Sequence, residues 1–425
     1  MKKIIFTGLI VMTLLAIVLC SACQPAKPTT PTTPTTPSTP STPSTPTKDK
    51  IVVGMARPLS GPQAIIGDSA FRPIYETFVP MINDEGGVYV EEYGKKLPIE
   101  LLIYDDKSDL GTMTRLTEKL IVEDKVDFLW PTASTAAIYA QAPIAQKYGY
   151  ILITAEGGAT TIKDMLPTLP NVFVTLSFSD WYQLPVFADI MANEGAKTAY
   201  IIYIADLHGI EYSGVAGIEF PKKGIDIIGV KSVPPDIKDL SPLIKEAKAS
   251  GADIFCCFAY PDQVMPATGT SIELDYNPKA WIGGPGVNFG FYHTTFGPMV
   301  DGVMGFTCFN PKQSEAAAEL ADILYTGKPE EIQDWWGHPF YWAGLQIWKQ
   351  AIEEAGTLDQ DKIKEVITNG TFDTVLGKTW FDSGLLAKEA HTGEIGQWQN
   401  GVYEVVGPED WATAPVVYPK PAWPK

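Results

Sequence analysis

Histidine and cysteine are scarce in this 425-residue chain, and that removes whole classes of chemistry at the outset. The four histidines, His208, His293, His338 and His391, are too scattered for a metal-ligand helix motif. There is no Gly-x-Ser-x-Gly nucleophile elbow and no phosphate-cradling glycine loop ending in Lys-Ser/Thr. Past Cys23 only Cys256, Cys257 and Cys308 occur. Cys256-Cys257 lies inside an apolar run over 253–260, which reads as buried thiols rather than a zinc or redox site. Basic charge is short as well: 32 Lys and Arg against 50 Asp and Glu give a formal charge of -18, which argues against nucleic acid and against an electrostatic grip on anionic lipid. Beyond the first two dozen residues no apolar run is long enough to span a bilayer. Asp105, Asp106 and Asp109 lack calcium-loop spacing and read as a solvated turn with a helix cap. No cofactor and no metal are expected.

What is present begins with Lys2 and Lys3, an apolar stretch over 4–19, and Ser21-Ala22-Cys23. This resembles a bacterial lipoprotein signal, with residues 1–22 removed and Cys23 carrying the lipid. A transmembrane anchor is the alternative, but the stretch falls short of the roughly 20 residues a bilayer needs. Cys20 stands where such signals more often have Leu or Val. Residues 24–47 are almost entirely Pro, Thr and Ser. Such a segment forms an extended spacer reaching on the order of 70 Å, so 23–49 reads as a tether. The expected location is extracytoplasmic, in the periplasm or at the cell surface, anchored to a bacterial membrane by lipid.

From residue 50 the pattern alternates. Strands over 51–55, 97–105, 126–130 and 150–154 enclose helices over 71–83, 112–124 and 135–148, and a second βα series runs from 198 to 283. The alternation predicts an α/β fold with two parallel-sheet lobes, which the likeness described below implies to be Rossmann-like. Helices over 314–325, 339–355 and 359–369 suit the first lobe. Strands near 378–381 and 396–406 suit the second, so the chain crosses between lobes more than once, which makes a hinge. The expected divisions are 50–174 with 306–372, and 175–305 with 373–425.

In open parallel sheets ligands bind at the C-terminal strand ends, where helix N-termini present unpaired N–H groups. The polar residues there are Ser60, Thr132 to Thr135, and the 154–159 segment. Ser134 and Thr135 are placed to offer hydroxyls beside helix N–H groups, a nest for a carboxylate, and serve equally as helix caps. Trp130, Trp181, Tyr182, Phe289 and Trp336 supply aromatic surface or core packing.

Lys50-Ile51-Val52-Val53-Gly54, Pro58-Leu59-Ser60-Gly61-Pro62, the 82–88 segment Ile-Asn-Asp-Glu-Gly-Gly-Val and Tyr104-Asp105-Asp106 resemble the opening of the branched-chain amino acid binding proteins of ABC importers. The 149–154 segment, Asp206-Leu207-His208-Gly209, Ala259-Tyr260-Pro261 and Gly396-Gln397-Trp398 continue the likeness in order. The resemblance implies the type I periplasmic binding protein fold, with three crossovers and a small-molecule ligand, an amino acid or carboxylate, held between the lobes by hinge closure. It implies ligand contacts at Thr135 with Ser134, at the Glu156-Gly157-Gly158 loop, at the aromatic positions His208 and Tyr260, and at Ile66. Trp181, Tyr182 and Phe289 join these as aromatic candidates.

The family places a Glu for the ligand ammonium after the strand ending near Gly283, whereas this chain reads Gly283-Gly284-Pro285-Gly286-Val287. A buried ammonium lacking a carboxylate costs several kcal/mol. Either Glu156 replaces it from the other lobe or the ligand has no ammonium. The expectation is a monomeric solute receptor of an ABC importer, working with permease subunits and not an enzyme. A ligand sensor signalling to a partner protein and an extracytoplasmic hydrolase using Glu156 and His208 are the alternatives.

Overall fold

The computed structural model describes residues 47–155, 160–176, 182–307 and 309–424. Cys23 with its spacer, Glu156, Gly157, Gly158, Trp181 and Cys308 lie outside the described residues.

The first lobe is built on a parallel three-stranded sheet in the order Ile99–Asp105, Ile51–Arg57, Phe128–Leu129. A further sheet carries Leu152–Thr154 and Val172–Val174 in parallel, with Leu385–Leu386 and Phe381–Asp382 at its other side. The second lobe is a seven-stranded sheet in the order Val402–Gly407, Glu394–Gln399, Met304–Thr307, Ala280–Gly284, Ile254–Phe258, Thr198–Ile204, Asp226–Val233. Its five strands from Met304–Thr307 to Asp226–Val233 are parallel, and the two C-terminal strands form an antiparallel hairpin on one edge. Strands buried on both faces explain the unbroken apolar runs, as in Ile254–Phe258, whose five residues are all buried. Cys256 and Cys257 are 0% exposed, and burial pushes both thiols up.

Local chemistry fixes where the helices start. Asp109 accepts the Thr112 N–H at 2.7 Å and caps Leu110–Val122, and Asp206 caps Leu207–Lys222 through the Gly209 N–H at 3.0 Å. Gly209 is required there, because a Cβ would stand 2.1 Å from the Ile204 carbonyl oxygen. Helix Gly337–Ala355 follows the second lobe in sequence but packs on the first, with Gly344 seated against Ile153 and Trp348 edge-on to Trp130 at 5.5 Å.

The chain therefore crosses between sheets after Val172–Val174, after Met304–Thr307, and between Leu385–Leu386 and Glu394–Gln399. The third crossing comes later than the expected break at 372. Phe372–Thr374 and Gly377–Thr379 pair with each other, and Leu385 pairs with Val174 of the first lobe. The three crossings are bonded together. Gln183 Nε2 donates to the Thr307 carbonyl at 3.1 Å, and Gly393 lies so close that a Cβ would meet Gln183 Cγ at 2.5 Å. No helix among the described residues is long and apolar enough to cross a membrane.

Candidate functional site

The C-terminal ends of both parallel sheets carry polar side chains, as doubly wound sheets do. In the first lobe the strand Phe128–Leu129 runs into the loop 130–134 and then into helix Thr135–Tyr148. Ser134 caps that helix, its Oγ accepting the Ala137 N–H at 3.4 Å. It does so with φ at 76°, an uncommon conformation for a residue other than glycine and a form of strain that clusters at ligand clamps. Thr135 is the first helical residue and is buried.

The loop itself is strapped down. Thr132 N–H donates to Gln141 Oε1 at 3.0 Å, its hydroxyl donates to Asp106 Oδ2 at 3.3 Å, and Arg57 Nη1 donates to the carbonyls of Pro131 and Thr132 at 2.7 and 3.2 Å. Burial raises the Asp106 carboxyl against the opposing pull of its hydrogen bonds. Ser60 serves the scaffold: its hydroxyl donates to Asp105 Oδ2 at 2.6 Å, fastening the 58–62 turn to the next strand.

In the second lobe His208 sits in the first turn of Leu207–Lys222, 7% exposed, stacked on Tyr260 with ring centroids 4.9 Å apart and planes 23° apart. Burial lowers its pKa, so the ring is neutral near pH 7. Nε2 stands 3.2 Å from the Gly284 carbonyl, which can only accept, so the hydrogen is assigned to Nε2 and Nδ1 is left as an acceptor.

Gly284, Pro285 and Gly286 follow the adjacent strand end, joined by a cis Gly284–Pro285 peptide bond. Gly284 has φ 153° and Gly286 φ 139°; a Cβ on Gly286 would meet Pro261 Cα and Val264 at 3.3 Å. This backbone belongs to glycine, and a side-chain carboxylate has no place on it. The glycines of the 283–287 segment are thus required by the loop's geometry.

The lobes meet beside these groups. Helices Thr135–Tyr148 and Leu207–Lys222 touch, and Glu211 accepts the backbone N–H of Thr161, at the start of helix Thr160–Met165, at 3.3 and 3.1 Å, together with the Thr161 hydroxyl.

Of the expected site residues, His208 and Tyr260 are brought into one stack beside Gly284, and Ser134 and Thr135 share one helix start. Others are placed in packing. Ile66 is buried in the first-lobe core, and Phe289 is 0% exposed, stacked on Phe291 at 5.0 Å. Tyr182 lies half-buried at the first crossing with the Lys388 ammonium 5.1 Å from its ring centroid. Trp130 packs between Phe71 and Trp348, and Trp336 precedes helix Gly337–Ala355. Arg57, Thr161 and Glu211 were not anticipated from sequence. The one available signal was an arginine closing an otherwise apolar strand. Among the described residues no group of acidic, His or Cys side chains is arranged to hold a metal.

Two α/β lobes with parallel sheets joined by three crossings define the type I periplasmic binding protein architecture. The chain belongs to the periplasmic binding protein family, whose model matches residues 50–401. That family is extracytoplasmic, and its members bind small molecules for ABC transporters. A Leu/Ile/Val-binding protein homolog of Brucella melitensis is 25% identical over 369 residues, covering 84% of this chain and 94% of its own. Among solved structures, an ABC transporter solute-binding protein from R. palustris in complex with 4-hydroxybenzoate superposes with a TM-score of 0.71 at 18% identity, covering 84% of this chain and 95% of that one. The branched-chain amino acid transporter substrate-binding protein of Streptococcus pneumoniae, in complex with isoleucine, also superposes with a TM-score of 0.71 at 18% identity, covering 87% and 100%.

Proposed function

We propose that this protein captures a small carboxylate lacking an ammonium group between its lobes and delivers it to an ABC permease, with no chemistry of its own. The observation that carries this reading is the Gly284-Pro285-Gly286 turn, whose glycine φ values of 153° and 139° suit no side chain, so the turn itself carries no carboxylate. A zwitterionic amino acid would bury its ammonium there at a cost of several kcal/mol. The helix start at Ser134 and Thr135 suits the carboxylate, through N–H groups and hydroxyls. The His208–Tyr260 stack suits a flat or apolar body.

The relatives support both an amino acid and an aromatic acid as cargo: one solved neighbour holds isoleucine and another 4-hydroxybenzoate. The glycine turn supports the acid. Lipid on Cys23 and the Pro/Thr/Ser spacer would keep the receptor beside its permease. Calorimetric titration of the purified protein with 4-hydroxybenzoate, 4-methyl-2-oxopentanoate and L-leucine tests the reading. Binding of an acid and recovery of it unchanged are expected; preferential binding of leucine, or turnover of the acid, would overturn it.

A further inference from the structure

Arg57 ends the central strand of the first-lobe sheet and is 0% exposed. Its Nη1 is committed to two backbone carbonyls, Pro131 at 2.7 Å and Thr132 at 3.2 Å, which fixes the plane of the guanidinium. Among the described residues neither Nε nor Nη2 has a hydrogen-bond partner. Those two nitrogens form one edge of the group, the parallel two-donor fork that matches both oxygens of a carboxylate. One face is covered by Phe71, with the guanidinium carbon 4.4 Å above its ring centroid. Phe71 in turn closes a five-residue π-helical turn, Gly67–Phe71, a backbone form frequent at functional sites.

A buried cation is tolerated when an anion pairs with it. Asp106 and Tyr75 are near enough to act on Arg57 electrostatically. The Asp106 oxygens, however, accept the Ser108 N–H at 2.8 Å and the Thr132 hydroxyl at 3.3 Å, and no acid among the described residues forms an ion pair with Arg57. The loop whose carbonyls hold Nη1 is the one that leads into Ser134 and Thr135. The unsatisfied fork faces the opposite side of the guanidinium from Nη1, one loop away from the helix start proposed for the carboxylate.

We propose that Arg57 is the specificity-determining anion anchor of the site, its Nε/Nη2 edge receiving the carboxylate of the cargo beside the Ser134–Thr135 helix start. The inference rests on the receptor reading and sharpens it: the cargo class is a small monocarboxylate with net negative charge, carried on a flat or apolar body. A cationic anchor in one lobe and an acid-free turn in the other both disfavour an ammonium.

The test titrates the full chain in detergent with 4-hydroxybenzoate, its neutral analogue 4-hydroxybenzamide, and L-leucine, for the wild type, Arg57→Gln and Arg57→Lys. The wild type should prefer the acid to the amide by about 100-fold, as expected where a charged fork loses its partner. Arg57→Gln should weaken the acid by about 30-fold and the amide by less than about threefold, collapsing the discrimination. Arg57→Lys keeps the charge without the fork and should weaken the acid by about five- to twentyfold; it decides the matter alone if Arg57→Gln does not fold. An equal loss for acid and amide, or an unchanged preference for the acid, overturns the proposal and marks Arg57 as scaffold. A wild type that binds leucine but not the acid overturns the anchor and the acid cargo while leaving a solute receptor standing; one that binds none of the three overturns the receptor reading as well.

Discussion

Glu211 of the second lobe accepts the backbone N–H of Thr161 of the first, at 3.3 and 3.1 Å, so the two lobes are pinned to each other at the mouth of the cleft. This contact joins the lobes and therefore favours the arrangement in which they touch. Because the pair is exposed, its contribution is about 1 kcal/mol, below that of a buried hydrogen bond to a charged acceptor. Glu211→Gln should lower cargo affinity by roughly fivefold and enlarge the radius of gyration of the loaded protein in small-angle scattering. Unchanged affinity and size would mean that closure does not draw on this bond.

Thr135→Ala removes a hydroxyl at the start of helix Thr135–Tyr148 while leaving the Ser134 cap in place. It should weaken a carboxylate cargo by about 1 to 3 kcal/mol. Calorimetric titration measures this directly, and equal affinity for both proteins would move the carboxylate away from this helix.

Burial lifts the Glu394 carboxyl to about 8, and the neighbouring His391, held down to about 3, stays neutral beside it; their separation of 4.0 Å is accordingly no ion pair near pH 7. In the folded protein Glu394 keeps a proton that the unfolded chain releases from its ordinary range upward, so stability is lost as pH rises from about 4.5 through 8. Glu394→Gln cannot ionise and can still accept the Gln313 amide now 3.0 Å from Oε1. The melting temperature of the variant relative to wild type should climb between pH 5 and pH 8.5. A difference independent of pH would place the titration elsewhere.

Gly286→Ala puts a Cβ at φ 139° and within 3.3 Å of Pro261 and Val264. The cost should exceed about 1 kcal/mol in urea unfolding, since alanine is strained at positive φ. A silent substitution would show that the turn relaxes readily, and the argument against an ammonium-bearing cargo would lose its geometric basis.

Much of the framework was legible because its signals are local. Helix Thr135–Tyr148 has the limits its sequence pattern predicts, since a capping residue and apolar periodicity announce it. Helix Leu184–Asn193 was missed because Pro185 reads as a breaker, although in the first turn its absent N–H costs nothing. The third crossing was misplaced for a different reason: Leu385 reads the same whichever sheet it joins, and its pairing with Val174 is a contact across more than two hundred residues. The site divides similarly. Ser134, Thr135, His208 and Tyr260 stand at strand ends that can be counted off, whereas the burial of Arg57 and its single open edge exist only once strand, loop and Phe71 are brought together.

The bond from Gln183 to Thr307, with Gly393 pressed against Gln183, separates two properties that evolution can tune independently. Changes at the strand ends alter which cargo is chosen, one chemical group at a time. Changes at this junction alter how readily the lobes swing for any cargo, because all three connecting segments must bend together there. Residues at the strand ends can therefore change without disturbing the junction at Gln183, Thr307 and Gly393.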